Sequence, residues 1–547
     1  MIRRYFNFVF LWLLVGLACT PLTQLSSQLP QATATPVEVG LASPTATTLL
    51  ATPAPAPSPT PSPGVTATPG EPPAMPTPEV DFTDLSPYRQ AMLPDFAGDV
   101  DAVAAAGASR YYLEASVEPG AGPEGLRISG VERILYTNTE EVPLTDIYFH
   151  LYPNLPSYGG QMAVEMMIID GQPVSPVVDA AASALRAPLP EPLLPGEAAD
   201  ISLSYEAQVP PGRQRGYNIF SYSNGTAALA GFFPIIVVYD EQGWATAAPP
   251  PHGDATYLDT ALFQVELTAP QEMVVAASGS LLESVSDDGA GMTLHLASGP
   301  IRDFYVAMRQ DYQRLSEQVE GIQVNSYYPP GLEEGGRLAL RYAVDALKVF
   351  NERFGRYPYA EFDVAATPTT AGGVEYPGIV VVTEQVYNQE GGFFEHATVH
   401  EVAHQWWYSL VGNDQVKEPW LDESLTNYST VIYWEEIRGE EAADSVINAF
   451  FVDPYERAKE MGRDRAVIGP VSDFSQGEYG TFVYGKGPLF FHALRQEVGD
   501  ETYFEIMQRY YEAYKYEIAT AEDLLQMIEQ VSGQNVEPLS ETWLQAP

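Results

Sequence analysis

His400-Glu401-Val402-Ala403-His404 and, 18 residues further on, Glu423 are the side chains best suited to do chemistry. On a helix, two histidines four apart lie about 40° apart around the axis and one turn apart along it. Both imidazoles then reach a single ion. Glu401 follows the first histidine and projects from the same wall, where a carboxylate can sit beside a metal-bound water. Catalytic zinc takes three protein ligands and keeps one position open, and two histidines with a glutamate form such a set. Glu423 supplies the third ligand if a second helix carries it back to the pair. Seven histidines in the whole chain make a chance pairing of this form rare, about one in a hundred per chain. The competing reading, an ordinary buried helix with two satisfied histidines, leaves Glu423 at this distance unexplained.

Composition removes several other classes of function. Acids outnumber bases 72 to 27, for a net charge of −45, and the bases form no cluster. Such a surface repels phosphate backbones, so no nucleic-acid partner is expected. The only cysteine, Cys19, rules out an intramolecular disulfide and leaves the metal site to His and Glu.

The N-terminus reads as an export signal. Arg3 and Arg4 precede an apolar run from Tyr5 to Ala18, broken only by Asn7 and short for a membrane span. Val15-Gly16-Leu17-Ala18-Cys19 resembles the lipobox of bacterial lipoproteins, although Gly16 and Leu17 depart from its usual order. That resemblance implies removal of residues 1–18, a lipid anchor at Cys19, and a cell-surface lipoprotein on the outer face of a bacterial membrane. Plain secretion is the alternative. Residues 19–79 are rich in Thr, Pro, Ala and Ser and hold no aromatic residue, which predicts a disordered, partly polyproline tether. Residues 80–110 form a lead-in.

Beyond the lead-in the pattern predicts an α+β chain. Period-2 runs such as Asp146-Ile147-Tyr148-Phe149-His150-Leu151-Tyr152 and Leu262-Phe263-Gln264-Val265-Glu266-Leu267 indicate an antiparallel, sandwich-like β domain over 111–312. Past Glu333 the period changes to 3.6, and 313–547 reads as a mainly helical domain. Helices are expected over 337–354, 393–410 with the metal motif, 422–438, 440–462, 486–499, 501–514 and 520–532. Two buried strands, near 362–366 and 378–383, fall between the first two helices.

Three separated motifs give the chain its family resemblance. The first is His400-Glu401-x-x-His404 with Glu423. The second is Gly372-Gly373-Val374-Glu375-Tyr376, which is similar to a G-x-M-E-N strand, with Val374 and Tyr376 in place of its Met and Asn. The third is Tyr484-Gly485-Lys486-Gly487, similar to a Y-x-K-G element. Over roughly residues 110–545 the chain resembles the gluzincin aminopeptidases of the aminopeptidase N and leukotriene-hydrolase type, without the large C-terminal helical domain of the longest members.

The resemblance implies a saddle-like N-terminal β domain, a thermolysin-like catalytic domain, one zinc ion per chain and peptide substrates. Glu401 is then the general base and Tyr484 the donor to the developing oxyanion. Glu375 grips the substrate's free α-amino group, with Gly372 and Gly373 lining the same strand. His396 reads as a packing residue, Trp406 and Trp407 as packing behind the motif helix, and Asn427 as a group that could orient a ligand. Two competing functions are a zinc endopeptidase with an open cleft and a non-catalytic binding protein on a peptidase fold.

Overall fold

The computed structural model describes residues 78–545 apart from 121–124, 180, 213–215, 255, 288–290 and 390–391. The expected export signal, Cys19 and the tract up to residue 77 lie outside the described residues.

The first half is built on an eight-stranded sheet. Its strands run in the order 280–287, 291–301, 261–269, 109–119, 126–137, 198–209, 161–169 and 172–173. Strict alternation makes the central strand Leu126–Thr137 half-buried, with every second side chain turned into the core. Two four-stranded sheets, centred on 226–229 with 306–309 and on 144–150 with 184–193, accompany it. The all-antiparallel expectation is corrected, since Ser109–Pro119 pairs in parallel with Ala261–Ala269. A long connection separates these strands in sequence, which a parallel pair requires. The lead-in folds as two short helices, Ser86–Gln90 and Ala97–Ala105.

The second half starts with a mixed five-stranded sheet, ordered 313–319, 322–328, 361–367, 379–383 and 373–374. Ile379-Val380-Val381-Val382-Thr383 is wholly buried, flanked by strands 361–367 and 373–374 and packed against helix Phe393–Ala403. Helix Glu333–Arg353 lies against this sheet and buries one stripe that includes Leu338, Tyr342, Leu347 and Phe350. Helix Trp420–Arg438 packs on the motif helix and on Gly487–Val498, which meets Asp500–Tyr514, and this last meets Ala521–Ser532.

Two helix expectations are corrected. The motif helix ends at Ala403 rather than 410. Beyond it the chain coils in a wider turn, where the amides of Ser409, Leu410 and Val411 bond to the carbonyls of His404, Gln405 and Trp406. Tyr408 there adopts φ +126°, which no helix allows. The helix expected over 440–462 is broken by a π-helical turn at Ile447–Val452.

Candidate metal centre

Helix Phe393–Ala403 is buried along its whole length, so His400 and Glu401 face protein on every side. His404 sits at its C-cap. Glu423 lies in the first turn of helix Trp420–Arg438, which returns it to the pair. His400 Nε2 and His404 Nε2 are 3.2 Å apart. Glu423 Oε2 is 3.1 Å from the first and 3.4 Å from the second. A tetrahedral ion with bonds near 2.0–2.1 Å has ligand–ligand edges of about 3.3 Å. The three atoms thus span one face of such a tetrahedron. Glu423 Oε2 is buried and has no hydrogen-bond donor, as a carboxylate oxygen left for a cation would be. The His404 Nδ1 atom lies 2.9 Å from the Trp407 carbonyl, which holds its proton on that side and leaves the Nε2 lone pair for the ion. These residues fit zinc.

Other ligand-type atoms crowd the same volume: His400, Glu401 and His404 form one group within 4.8 Å, and Glu375, His404 and Asp422 another. Glu423 is the better third ligand than Glu401, because its oxygen completes the tetrahedral face. The concentration of acid shows in the proton affinities. Burial, then the Glu375 carboxylate, pushes Glu401 well above the usual carboxylate range. Burial, then Glu423, raises Asp422 to about 7. Burial disfavours the charged form of His404, yet Glu375, Glu423 and Asp422 together raise it well above its ordinary value. The site therefore has more buried carboxylate than cation, and a dication redresses that balance.

Gly373 explains why Glu401 can approach at all. A Cβ there would stand 2.3 Å from Glu401 Oε1. Gly373 and Val374 form a short edge strand against Val382 and Val381, and the Gly372 carbonyl accepts the Thr383 amide at 3.1 Å. That pairing carries Glu375 to the metal centre, where it is buried and its Oε1 accepts from Gln415 Nε2 at 3.1 Å. Tyr376 stacks on Tyr305 with ring centroids 3.9 Å apart, and its carbonyl accepts from Gln405.

Tyr484 sits in a π-helical turn, Phe482–Lys486, and its phenol donates to Glu423 Oε1. Such turns re-aim one side chain out of the regular helical register. Asn427 donates to the Tyr484 carbonyl at 2.7 Å. Lys486 is fully buried and bonds Asp464 and the Arg465 carbonyl at 2.8 Å each. A Cβ on Gly487 would lie 2.0 Å from Ser424 Oγ, so the glycine lets this turn close on the glutamate helix.

His396 stacks on Phe450 at 4.2 Å, and burial holds its imidazole down at about 3. Trp406 and Trp407 pack against Phe350 and Phe354 behind the motif.

Three further residues line the site without any sequence signal. Asp254 comes from the β half, has a buried Oδ2 without a hydrogen-bond partner, and lines a pocket with Glu375, Tyr158, Tyr217, Tyr376 and Tyr408. Tyr408 holds its strained backbone because buried Arg302 donates to its carbonyl at 3.0 Å. Gln415, in a polar stretch that reads as a surface turn, is fully buried.

A buried His/His/Glu face, with a second carboxylate beside it and a phenol hydrogen-bonded to its glutamate, is similar to a gluzincin centre. Residues 338–543 match the Peptidase family M1 domain. Aminopeptidase 2 of Candida albicans is 24% identical over 298 residues, covering 51% of this chain and 32% of its own. Aminopeptidase N of Lactococcus lactis subsp. lactis is 26% identical over 226 residues, covering 38% of this chain and 26% of its own. The chain thus spans about a third or less of the length of these curated relatives. An M1 zinc metallopeptidase from Deinococcus radiodurans shares the fold. It has a TM-score of 0.60 at 22% identity and covers 80% of this chain and 94% of its own.

Proposed function

We propose that the protein is a zinc-dependent aminopeptidase that releases single residues from the N-termini of peptides. One observation carries this reading: Glu375, buried and held by Gln415, clusters with Asp422 and with His404, which is itself part of the His400, His404 and Glu423 face. A buried carboxylate beside the reaction centre is a counter-ion for an α-ammonium group, and an endopeptidase has no use for it.

His400, His404 and Glu423 would hold one zinc ion, which when bound supplies Lewis-acid activation of water and of the scissile carbonyl. Glu401, with its raised proton affinity, takes the proton of the attacking water and passes it to the leaving amine. Tyr484 turns its phenol from Glu423 to the substrate oxygen as negative charge develops there. Glu375 measures the distance from the free N-terminus to the bond that breaks. Support for the chemistry comes from the curated aminopeptidases and from the fold shared with a metallopeptidase whose mutant was solved bound to a Tyr-Ser-Ala substrate. The proposal includes export and a lipid anchor at Cys19, supported by the sequence around residues 15–19.

The test is a panel of aminoacyl-chromophore and internally quenched peptides, each with a free and an N-acetylated terminus, with and without chelator. Free peptides should lose single N-terminal residues, blocked ones should be cut about a hundredfold more slowly or worse, and chelation should abolish both. Glu401→Gln should keep its zinc and lose most turnover. Equal cleavage of blocked and free peptides at internal bonds would replace this reading by an open-cleft endopeptidase.

A further inference from the structure

Gln415 stands where three parts of the site meet. Its side chain is wholly buried. Its Nε2 donates to Glu375 Oε1 at 3.1 Å and to Asp422 Oδ2 at 2.7 Å, and its Oε1 accepts from Thr256 Oγ1. Asp422 in turn receives the Glu423 amide on Oδ1 at 2.9 Å, at the start of the helix that carries the third ligand. Thr256 lies on the stretch that brings the β half over the site. Gly253 N donates there to the Tyr217 phenol at 3.0 Å, and His252 Nε2 lies 2.9 Å from the Phe474 carbonyl.

A side-chain amide suits this place better than any other group. Glu375 and Asp422 are both acids and would repel each other across a dry gap. An amide nitrogen offers two hydrogens and no charge, so it satisfies one oxygen of each carboxylate and keeps them apart. A lysine would satisfy them as well, but its positive charge would compete with the substrate's ammonium for Glu375. The amide can aim its nitrogen at the acids only if its oxygen faces a donor, and Thr256 provides that donor. Gln415 thus holds Glu375 by a direct hydrogen bond. That bond is made on Oε1, and Glu375 lines the pocket shared with Asp254 and Tyr408.

We propose that Gln415 is a positioning residue that sets the enzyme's demand for a free α-amino group, by fixing Glu375 and by registering the β half, through Thr256, to the catalytic half. This inference rests on the aminopeptidase reading above. Loss of the amide removes this bond from Glu375 and leaves it beside a like charge, which weakens capture of the ammonium before it touches the bond-breaking step.

The experiment compares zinc-loaded full chain, Gln415→Leu and Thr256→Val on one aminoacyl chromophore and its N-acetyl form. Gln415→Leu should keep its zinc, raise KM for the free substrate about tenfold or more while kcat moves less, and shrink the free-to-blocked ratio of kcat/KM by a similar factor. Thr256→Val should shift KM and the ratio the same way by about threefold, and it carries the test alone if the leucine variant does not fold. A variant that loses kcat but keeps the wild-type KM and ratio would overturn the proposal and make Gln415 a packing residue. A wild type with no preference for the free terminus would instead overturn the aminopeptidase reading.

Discussion

The phenol of Tyr484 donates a hydrogen bond to Oε1 of Glu423, while Oε2 of the same carboxylate lies 3.1 Å from His400 Nε2 and 3.4 Å from His404 Nε2. One side chain thus divides its two oxygens between the metal face and the group expected to meet the oxyanion. On the proposed reading, in which Glu423 is a ligand and Tyr484 meets the oxyanion, this bond links the tyrosine's effect on metal affinity to its effect on turnover.

Tyr484→Phe should therefore do two things. Turnover should fall about 10²–10³-fold, as when one oxyanion donor is removed, with a smaller change in KM. Zinc affinity should fall about tenfold, because a ligand loses the donor that orients it. Kinetics and a competitive chelator titration measure both, and a normal kcat would remove Tyr484 from its role.

Gly373→Ala should act through Glu401. The new Cβ would meet Glu401 Oε1 at 2.3 Å, and the carboxylate must swing away because it is the movable partner. Displacement of a base by about 1 Å costs roughly a hundredfold in kcat. His400, His404 and Glu423 are untouched, so metal analysis should still find one zinc per chain. Wild-type turnover in this variant would show that the placement of Glu401 is not what limits the reaction.

Asp303 gives a pH-dependent stability effect. Burial pushes its carboxyl up to about 6 from an ordinary 3.8, although the Phe304 amide pulls the other way. The folded chain therefore holds this proton more tightly than the unfolded chain does. Its destabilising ionisation is absent below about pH 4, grows as pH rises, and is complete above about pH 6. Asp303→Asn, which cannot ionise and can still accept the Phe304 amide, should match wild type near pH 4. By pH 7 it should gain up to about 3 kcal/mol. Urea unfolding at both pH values measures the difference, and an equal offset at both would contradict a raised carboxyl.

The proposed lipid anchor at Cys19 makes a prediction about location. The native protein should partition with membranes and be released in soluble form by proteolysis within residues 20–79. Cys19→Ser should block lipid attachment. Metabolic labelling that finds no lipid on the wild type would favour simple secretion.

By itself the sequence determined the parts of the site that follow from local geometry. His400, Glu401 and His404 share one helical wall because of their spacing alone, and Glu423 returns on the next helix. The strand alternation of Leu126–Thr137 and the helical stripe of Glu333–Arg353 were readable for the same reason, since side-chain direction repeats with a fixed period. Glu375 and Tyr484 carried no such pattern and were reached only through motif resemblance. Tertiary structure decided the rest. It ended the motif helix at Ala403, where Arg302, about a hundred residues away in the chain, holds the Tyr408 carbonyl and its left-handed backbone. It brought Asp254 and Thr256 from the β half onto the centre, and it buried Gln415 between two acids. No periodicity reports these contacts, because a polar residue in a loop looks the same in sequence whether water or a distant segment covers it.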